Sequence, residues 1–350
     1  MINTLKREFK AVVLFEQNTP LRIVSMMKVG PSHGQVGIRM ISASLCGAQW
    51  NEITGVKGPD RFLPHMMGHE GVGEVVSIGS GVTKVRNGDI VILHWRKGSG
   101  CDCFGPKFTS QFGEIGSGPV TTFSEYTVVA ENRVTPIKYN PEMKYLYPLV
   151  GCALSTSWGL LTKEVMAKRE HTLFICGAGG LGMSIAFWAK LFQQKQLVVF
   201  DRVELKRPQV EKLGGNFYSI ENGESIDSIN ENFDIVIDTT GNVQNISSCF
   251  NRVKSGGKMV LVGQPKVDSV LKLNNPLRIF NGIKIFSSDG GLFSPDEDIK
   301  VILNALESNE ELRDLLVSHI IRIENVNEGF RLMQAGEATR VVIDLEEDNL

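Results

Sequence analysis

LFICGAGGLGMSIAFWAKLFQQKQLVVFD, residues 173–201, decides the fold. An apolar run from Leu173 to Cys176 enters a loop in which Gly177, Gly179 and Gly182 fit G-x-G-x-x-G. Gly180 and Leu181 lie between them, and the residues from Gly182 onward read as a helix. A second apolar run then ends on Asp201. Glycines at this spacing permit a tight turn and close backbone approach to a pyrophosphate, which sits at the positive end of the following helix. The spacing alone is a weak signal, and the order strand, loop, helix, strand, acid gives it its weight. Asp201 is expected to accept hydrogen bonds from the ribose hydroxyls. Its charge repels a 2′-phosphate, which favours NAD over NADP. Arg202 and Lys206 follow closely and offset part of that repulsion.

Outward from this segment the chain has two characters. Upstream come short runs rich in Val, Ile and Thr with glycine between them, such as GQVGIRMISASLCG and NGDIVILHW, which read as a compact β-rich core. Downstream, helices and strands alternate, with strands expected near 234–238 and 258–262; alternation of this kind builds a parallel sheet wound on both faces. The expected fold class is therefore α/β. A β-rich domain covers 1–153, a doubly wound NAD-binding domain covers 154–287, and residues 288–350 return to complete the first. At 350 residues the chain is too long for one small core. A net charge of −2 gives no electrostatic footprint for nucleic acid. No apolar stretch suggests a signal peptide or a membrane span, so a cytoplasmic location with no membrane or nucleic-acid partner is expected. The six cysteines then read as reduced thiols or metal ligands.

A second stretch, GHEGVGEVVSIG at 68–79, combines His69 and Glu70 with a regular glycine spacing. Cys46 lies upstream and Cys152 downstream. Two thiolates and an imidazole, with one position open, are what a catalytic zinc needs. GHEGVGEVVSIGSGV resembles the zinc signature of the medium-chain, zinc-dependent alcohol dehydrogenase family through Gly68, His69, Glu70, Gly73, Gly79 and Val82. TTFSEYTVV and GCALSTSWG resemble its liver-type and glutathione-dependent formaldehyde dehydrogenase branches. The resemblance implies a GroES-like catalytic domain beside a Rossmann domain. It implies one zinc on Cys46, His69 and Cys152, with Glu70 behind the ion or as an occasional ligand. Thr156 and Leu181 would pack on the nicotinamide, the turn at Val262 and Gly263 would bind the carboxamide, and Arg340 would reach the pyrophosphate. A homodimer or homotetramer, built through the edge strand of the cofactor sheet, is also implied.

The departures bear on mechanism. Ala48 stands where the family commonly has a hydroxyl that relays the alcohol proton, Gln49 replaces an aspartate behind the histidine ligand, and Asn51 replaces a histidine that ends the relay in some members. Oxidation of simple alcohols is expected to suffer, and the proton must move by His94, Glu70 or water. The amide of Gln49 is expected to orient His69. His94 and Trp95 fall where the family lines its substrate pocket, and Arg96 and Lys97 lie just beyond. These point to a polyhydroxylated or anionic substrate such as a sugar, a polyol or its phosphate. Where liver-type members carry four cysteines for a structural zinc, this chain has only Cys101 and Cys103, which are expected to be free loop thiols. The expected reaction is hydride transfer between an alcohol or carbonyl substrate and NAD. A zinc- and NAD-containing lyase or epimerase, or a weakened NAD-binding protein, remains open.

Overall fold

The structure is a computed structural model and describes residues 7–346. Its β-rich body holds two sheets. Strands Glu8–Leu14, Arg22–Met27, Lys107–Ser110, Gly113–Gly116 and His65–Met66 close a small barrel. The other sheet runs in the order Val134–Ile137, Ile90–Leu93, Gly71–Ile78, Gln35–Ser44, Val341–Asp344, His319–Arg322, and Tyr126–Ala130 also pairs with Gln35–Ser44. Gln35–Ser44 is central, and every residue in it except Arg39 is buried. That explains why QVGIRMISAS shows little polar alternation: both of its faces are covered.

The second body is a six-stranded parallel sheet. Its order is Asn216–Ser219, Gln196–Asp201, Thr172–Cys176, Phe233–Asp238, Val253–Leu261, Lys284–Ser287, which in chain order reads 3-2-1-4-5-6. This is the doubly wound arrangement. The order reverses between Thr172–Cys176 and Phe233–Asp238, and a ligand crevice is expected outside the carboxyl ends at that point. Helix Gly180–Leu191 follows Thr172–Cys176 directly, and its residues from Gly182 to Ala189 are buried. The outermost strand, Lys284–Ser287, is paired on one side only.

The two bodies share one apolar core, in which Ile41, Val72, Ile92 and Val342 of the β-rich body join Leu154, Ile175, Trp188 and Val260. Helix Pro295–Glu307 adds Ile299, Ile302 and Leu306 to that core, while Val341–Asp344 pairs antiparallel with residues 42–44. Among the described residues no helix is long and apolar enough to cross a membrane.

Candidate active site

Three chain turns deliver the metal-type ligands. Cys46 leaves the central strand and sits at the N-cap of helix Gly47–Ile53. His69 follows Gly68, whose φ of +97° and whose missing side chain are both required. A Cβ there would lie 2.4 Å from Thr122 Oγ1 and 2.7 Å from the Phe123 nitrogen. Cys152 precedes helix Ala153–Gly159. The result is one compact group: ligand atoms of Cys46, His69, Glu70 and Cys152 all lie within 4.8 Å of one another, and His69 Nε2 is 3.3 Å from Cys152 Sγ.

The electrostatics of this group match its geometry. A hydrogen bond from Cys152 holds the Cys46 thiol well below its usual range, and His69 and Arg340 add to the effect. Cys152 is pushed well above its range by the same hydrogen bond and by burial. Burial opposes charge on His69, but the hydrogen bond and charge of Cys46 outweigh it and raise the imidazole. Burial drives the Glu70 carboxyl up to about 7, with Arg340 opposing. Glu70 Oε1 is 3.0 Å from the Arg340 guanidinium, which also donates to Leu45 O at 2.7 Å. Glu70 Oε2 is buried with no partner at all. Two sulfurs, an imidazole and an orphaned carboxylate oxygen form a donor set that suits zinc.

The dinucleotide loop lies at the adjoining end of the parallel sheet. Gly177 has φ +102°, and its N–H donates to Phe200 O at 2.7 Å. A Cβ at Gly182 would sit 1.8 Å from Gly177 O, one at Gly180 would sit 2.6 Å from Arg340 Nε, and one at Gly179 would meet nothing within 4 Å. Gly179 therefore faces open space, and Arg340 spans from the Glu70 carboxylate to the glycine loop. Asp201 Oδ2 accepts from Ala178 N at 2.6 Å, which ties the acid to the loop. Thr156 is buried, and Leu181 is partly buried against the shared core.

Several expectations change on contact with the structure. Arg202 donates to Gln334 O at the end of helix Val326–Ala335, which directs it away from offsetting Asp201. Lys206 is buried with Nζ 3.3 Å from Thr339 Oγ1; burial pushes its ammonium down to about 8, with Asp201 opposing. The N–H groups of Val262 and Gly263 both donate to Asp238 O, at 2.9 and 3.0 Å, so a carboxamide would find carbonyl oxygens at this turn and not these donors.

His94, expected as a proton carrier, has both ring nitrogens engaged by other groups. It is fully buried, with Nδ1 2.6 Å from Arg96 O and Nε2 3.0 Å from Thr135 Oγ1, and burial pushes it down to about 4. Because Arg96 O can only accept, Nδ1 carries the proton and Nε2 accepts from Thr135, which occupies both nitrogens. Gln49 does not orient His69. Its oxygen accepts from Cys46 N at 2.7 Å and its Nε2 is buried without a partner, so it positions the Cys46 turn. Arg96 donates to Asp289 O and Lys97 is 2.6 Å from Asp102, so each of these cations has an acidic neighbour. Cys101 and Cys103 are free thiols directed at Gly81 O and Gly34 O. Sequence reasoning missed Asp238 and the latch between Arg96 and Asp289. The Gly290-Gly291 pair was a signal for the latch, since a Cβ at Gly290 would lie 2.3 Å from the Trp95 ring.

Two family models match this chain: the alcohol dehydrogenase GroES-like domain over residues 32–139 and the zinc-binding dehydrogenase domain over residues 180–308, together more than half of its length. The chain belongs to the zinc-type medium-chain dehydrogenases/reductases. Among relatives of this zinc-type dehydrogenase, alcohol dehydrogenase 2 of Oryza sativa subsp. japonica is 26% identical over 379 residues, covering 97% of each chain. The class-3 alcohol dehydrogenase of Cereibacter sphaeroides is 26% identical over 377 residues, covering 95% of this chain and 99% of that one. In fold, the dehydrogenase is similar to an alcohol dehydrogenase zinc-binding domain protein from Burkholderia ambifaria, with TM-score 0.86 and 20% identity over 97% of this chain and 100% of that one. Benzyl alcohol dehydrogenase from Acinetobacter calcoaceticus gives TM-score 0.85 at 18% identity, over 97% and 99%.

Proposed function

We propose that this zinc-type dehydrogenase interconverts an alcohol or polyol and its carbonyl compound with NAD as the hydride carrier. The observation that carries the reading is the pairing of the four-donor group with the glycine loop through one buried arginine, Arg340. Cys46, His69 and Cys152 would hold one zinc with Glu70 behind it; when bound, zinc supplies a Lewis acid for the substrate oxygen and NAD an acceptor for the hydride.

The chain's own residues do the rest. The backbone at Gly177, Gly179 and Gly182 and the start of helix Gly180–Leu191 receive the pyrophosphate, with Arg340 as the neighbouring cation. Asp201 takes the ribose hydroxyls and, with Arg202 turned away, sets its negative charge against a 2′-phosphate, with Lys206 as the cation that acts on it. Thr156 and Leu181 position the nicotinamide. Trp95 packs against Gly290 and edge-on to Phe293. The apolar edge next to Lys284–Ser287, where Leu277 is 72% and Phe280 86% exposed, fits pairing with a second copy of the chain.

Elemental analysis and a panel of alcohols and polyols with NAD test the reading. One zinc per chain, lost in Cys46→Ser and Cys152→Ser, together with NADH formation, is expected. Two tightly bound zincs, or NAD binding without turnover anywhere in the panel, would overturn it. Net NADH formation also separates the reading from a lyase or epimerase.

A further inference from the structure

Four of the six cysteines have a place in the fold. Cys46 and Cys152 join His69 and Glu70 in the four-donor group, and Cys176 and Cys249 are buried in the core of the cofactor body. Cys101 and Cys103 have no such role. Both are only partly buried, with the exposed Asp102 between them, in the irregular segment that joins strands Ile90–Leu93 and Lys107–Ser110.

The structure packs these two sulfurs over one bare glycine. Gly34 has φ +71°, and a Cβ added there would lie 2.7 Å from Cys101 Cβ, 3.5 Å from Cys101 Sγ and 3.8 Å from Cys103 Sγ. Both sulfurs therefore flank a single point, and the missing side chain of Gly34 is what admits them. Each keeps only a weak partner. Cys101 Sγ is 3.6 Å from Gly81 O and Cys103 Sγ is 3.5 Å from Gly34 O, contacts in which a thiol is a poor donor with little to lose. The backbone around the pair is held more firmly: Cys101 N donates to Glu131 Oε2 at 2.8 Å, Asn132 N donates to Cys101 O at 3.2 Å, and Gln35 Nε2 donates to Phe104 O at 2.7 Å.

Residues two apart in sequence have Cα atoms no more than about 7 Å apart. A disulfide spans about 4.4–6.8 Å between Cα atoms, so this pair needs little backbone movement to close. Among the described residues the pair joins no third His, Cys, Asp or Glu in a metal-holding group, which leaves it the chemistry of two thiols.

We propose that Cys101 and Cys103 are a redox pair that closes reversibly to a local disulfide by exchange with a low-molecular-weight disulfide. The sulfur of one cysteine attacks the incoming S–S bond, forms a mixed disulfide and releases one small thiol. The second cysteine then attacks its neighbour's sulfur, forms the Cys101–Cys103 bond and releases the other small thiol. Two electrons pass from the pair to the incoming disulfide, and the two protons of the pair leave on the two thiols released. The inference stands apart from the proposed dehydrogenase reaction.

The test equilibrates the zinc-loaded full chain with glutathione disulfide and glutathione at graded ratios, followed by alkylation, trypsin and mass spectrometry. The fragment GSGCDCFGPK, residues 98–107, carries both sulfurs and no other cysteine. In oxidised samples it should be lighter than the reduced fragment by the mass of two hydrogens, take up no alkylating agent, and regain two alkylatable thiols after dithiothreitol. In Cys101→Ser and Cys103→Ser the remaining thiol should stop at the mixed disulfide with glutathione, having no neighbour to resolve it. Two free thiols at every ratio, a mixed disulfide that persists in the native chain, or a bond from either cysteine to a different cysteine or to a second chain would overturn the proposal. Protection of both thiols by a metal ion, reversed by a chelator, would overturn it as well.

Discussion

Gly179 and Gly182 lie three residues apart in one loop, and a methyl group added to each should fail in opposite ways. At Gly182 the new Cβ would lie 1.8 Å from Gly177 O and 2.9 Å from its carbonyl carbon, both backbone atoms, whereas real contacts essentially never fall below 3.0 Å. The helix start must therefore withdraw by at least about 1.2 Å from a strand end that is fully buried. Overpacking of this size typically costs about 1–3 kcal/mol, with a rigid backbone neighbour placing it toward the upper end. At roughly 2.1 cal/mol/K of unfolding entropy per residue, each kcal/mol lowers the melting temperature of a chain this long by about 1.4 °C, so Gly182→Ala should melt roughly 3–4 °C lower. At Gly179 a Cβ meets nothing, and its φ of −74° suits any residue. Gly179→Ala should keep native stability to within about 0.5 kcal/mol while its methyl occupies the path of the pyrophosphate. Melting by circular dichroism and NAD titration by calorimetry separate the two. Equal melting of Gly182→Ala and native protein, or unchanged NAD affinity in Gly179→Ala, would refute the loop geometry.

Two further outcomes follow from charges in the cofactor body and behind the pocket. Asp201→Asn keeps an acceptor for Ala178 N–H but removes the charge, so the ratio of NADP to NAD dissociation constants should fall by about tenfold to a hundredfold; an unchanged ratio in a binding titration would count against Asp201 as the discriminator. His94 is held neutral, at about 4 against an ordinary 6.5, so between those values the unfolded chain binds the extra proton and folding stability falls as pH drops from about 6.5 toward 4. Full development of that window corresponds to about 3 kcal/mol. Urea unfolding at pH 7 and pH 5 should show the loss in native protein and a smaller one in His94→Asn, and equal losses would show that His94 is not the group responsible.

The parts of this molecule legible in its sequence are those that local backbone geometry dictates. Gly68 and Gly177 occupy left-handed conformations, Gly182 lies against a carbonyl, and the apolar runs around them are strands, so GHEGVGEVV and CGAGGLG announce their roles within a few residues. His69 was legible for the same reason, since it follows Gly68 directly. Partnerships across long stretches of chain were not legible. The amide of Gln49 has two chemically plausible targets three to twenty residues away, and only the packed helix turns it to Cys46 N. His94 lies beside a pocket residue in sequence, but its ring finds Thr135 on the neighbouring strand. Arg96 and Asp289 meet across the two bodies, so neither charge could be assigned a partner from its own neighbourhood.

Arg340 also fixes an order of events. The cofactor sheet is drawn from one continuous stretch of chain ending at Ser287, so all six of its strands are made before Arg340. The metal centre has no such independence. The guanidinium that faces Glu70 Oε1 belongs to residue 340, and residues 42–44 of the central strand gain Val341–Asp344 as a neighbour only at that point. Truncation just before Arg340 is therefore expected to leave a chain that can still wind its nucleotide-binding half but lacks the guanidinium that faces Glu70 in its chemical half.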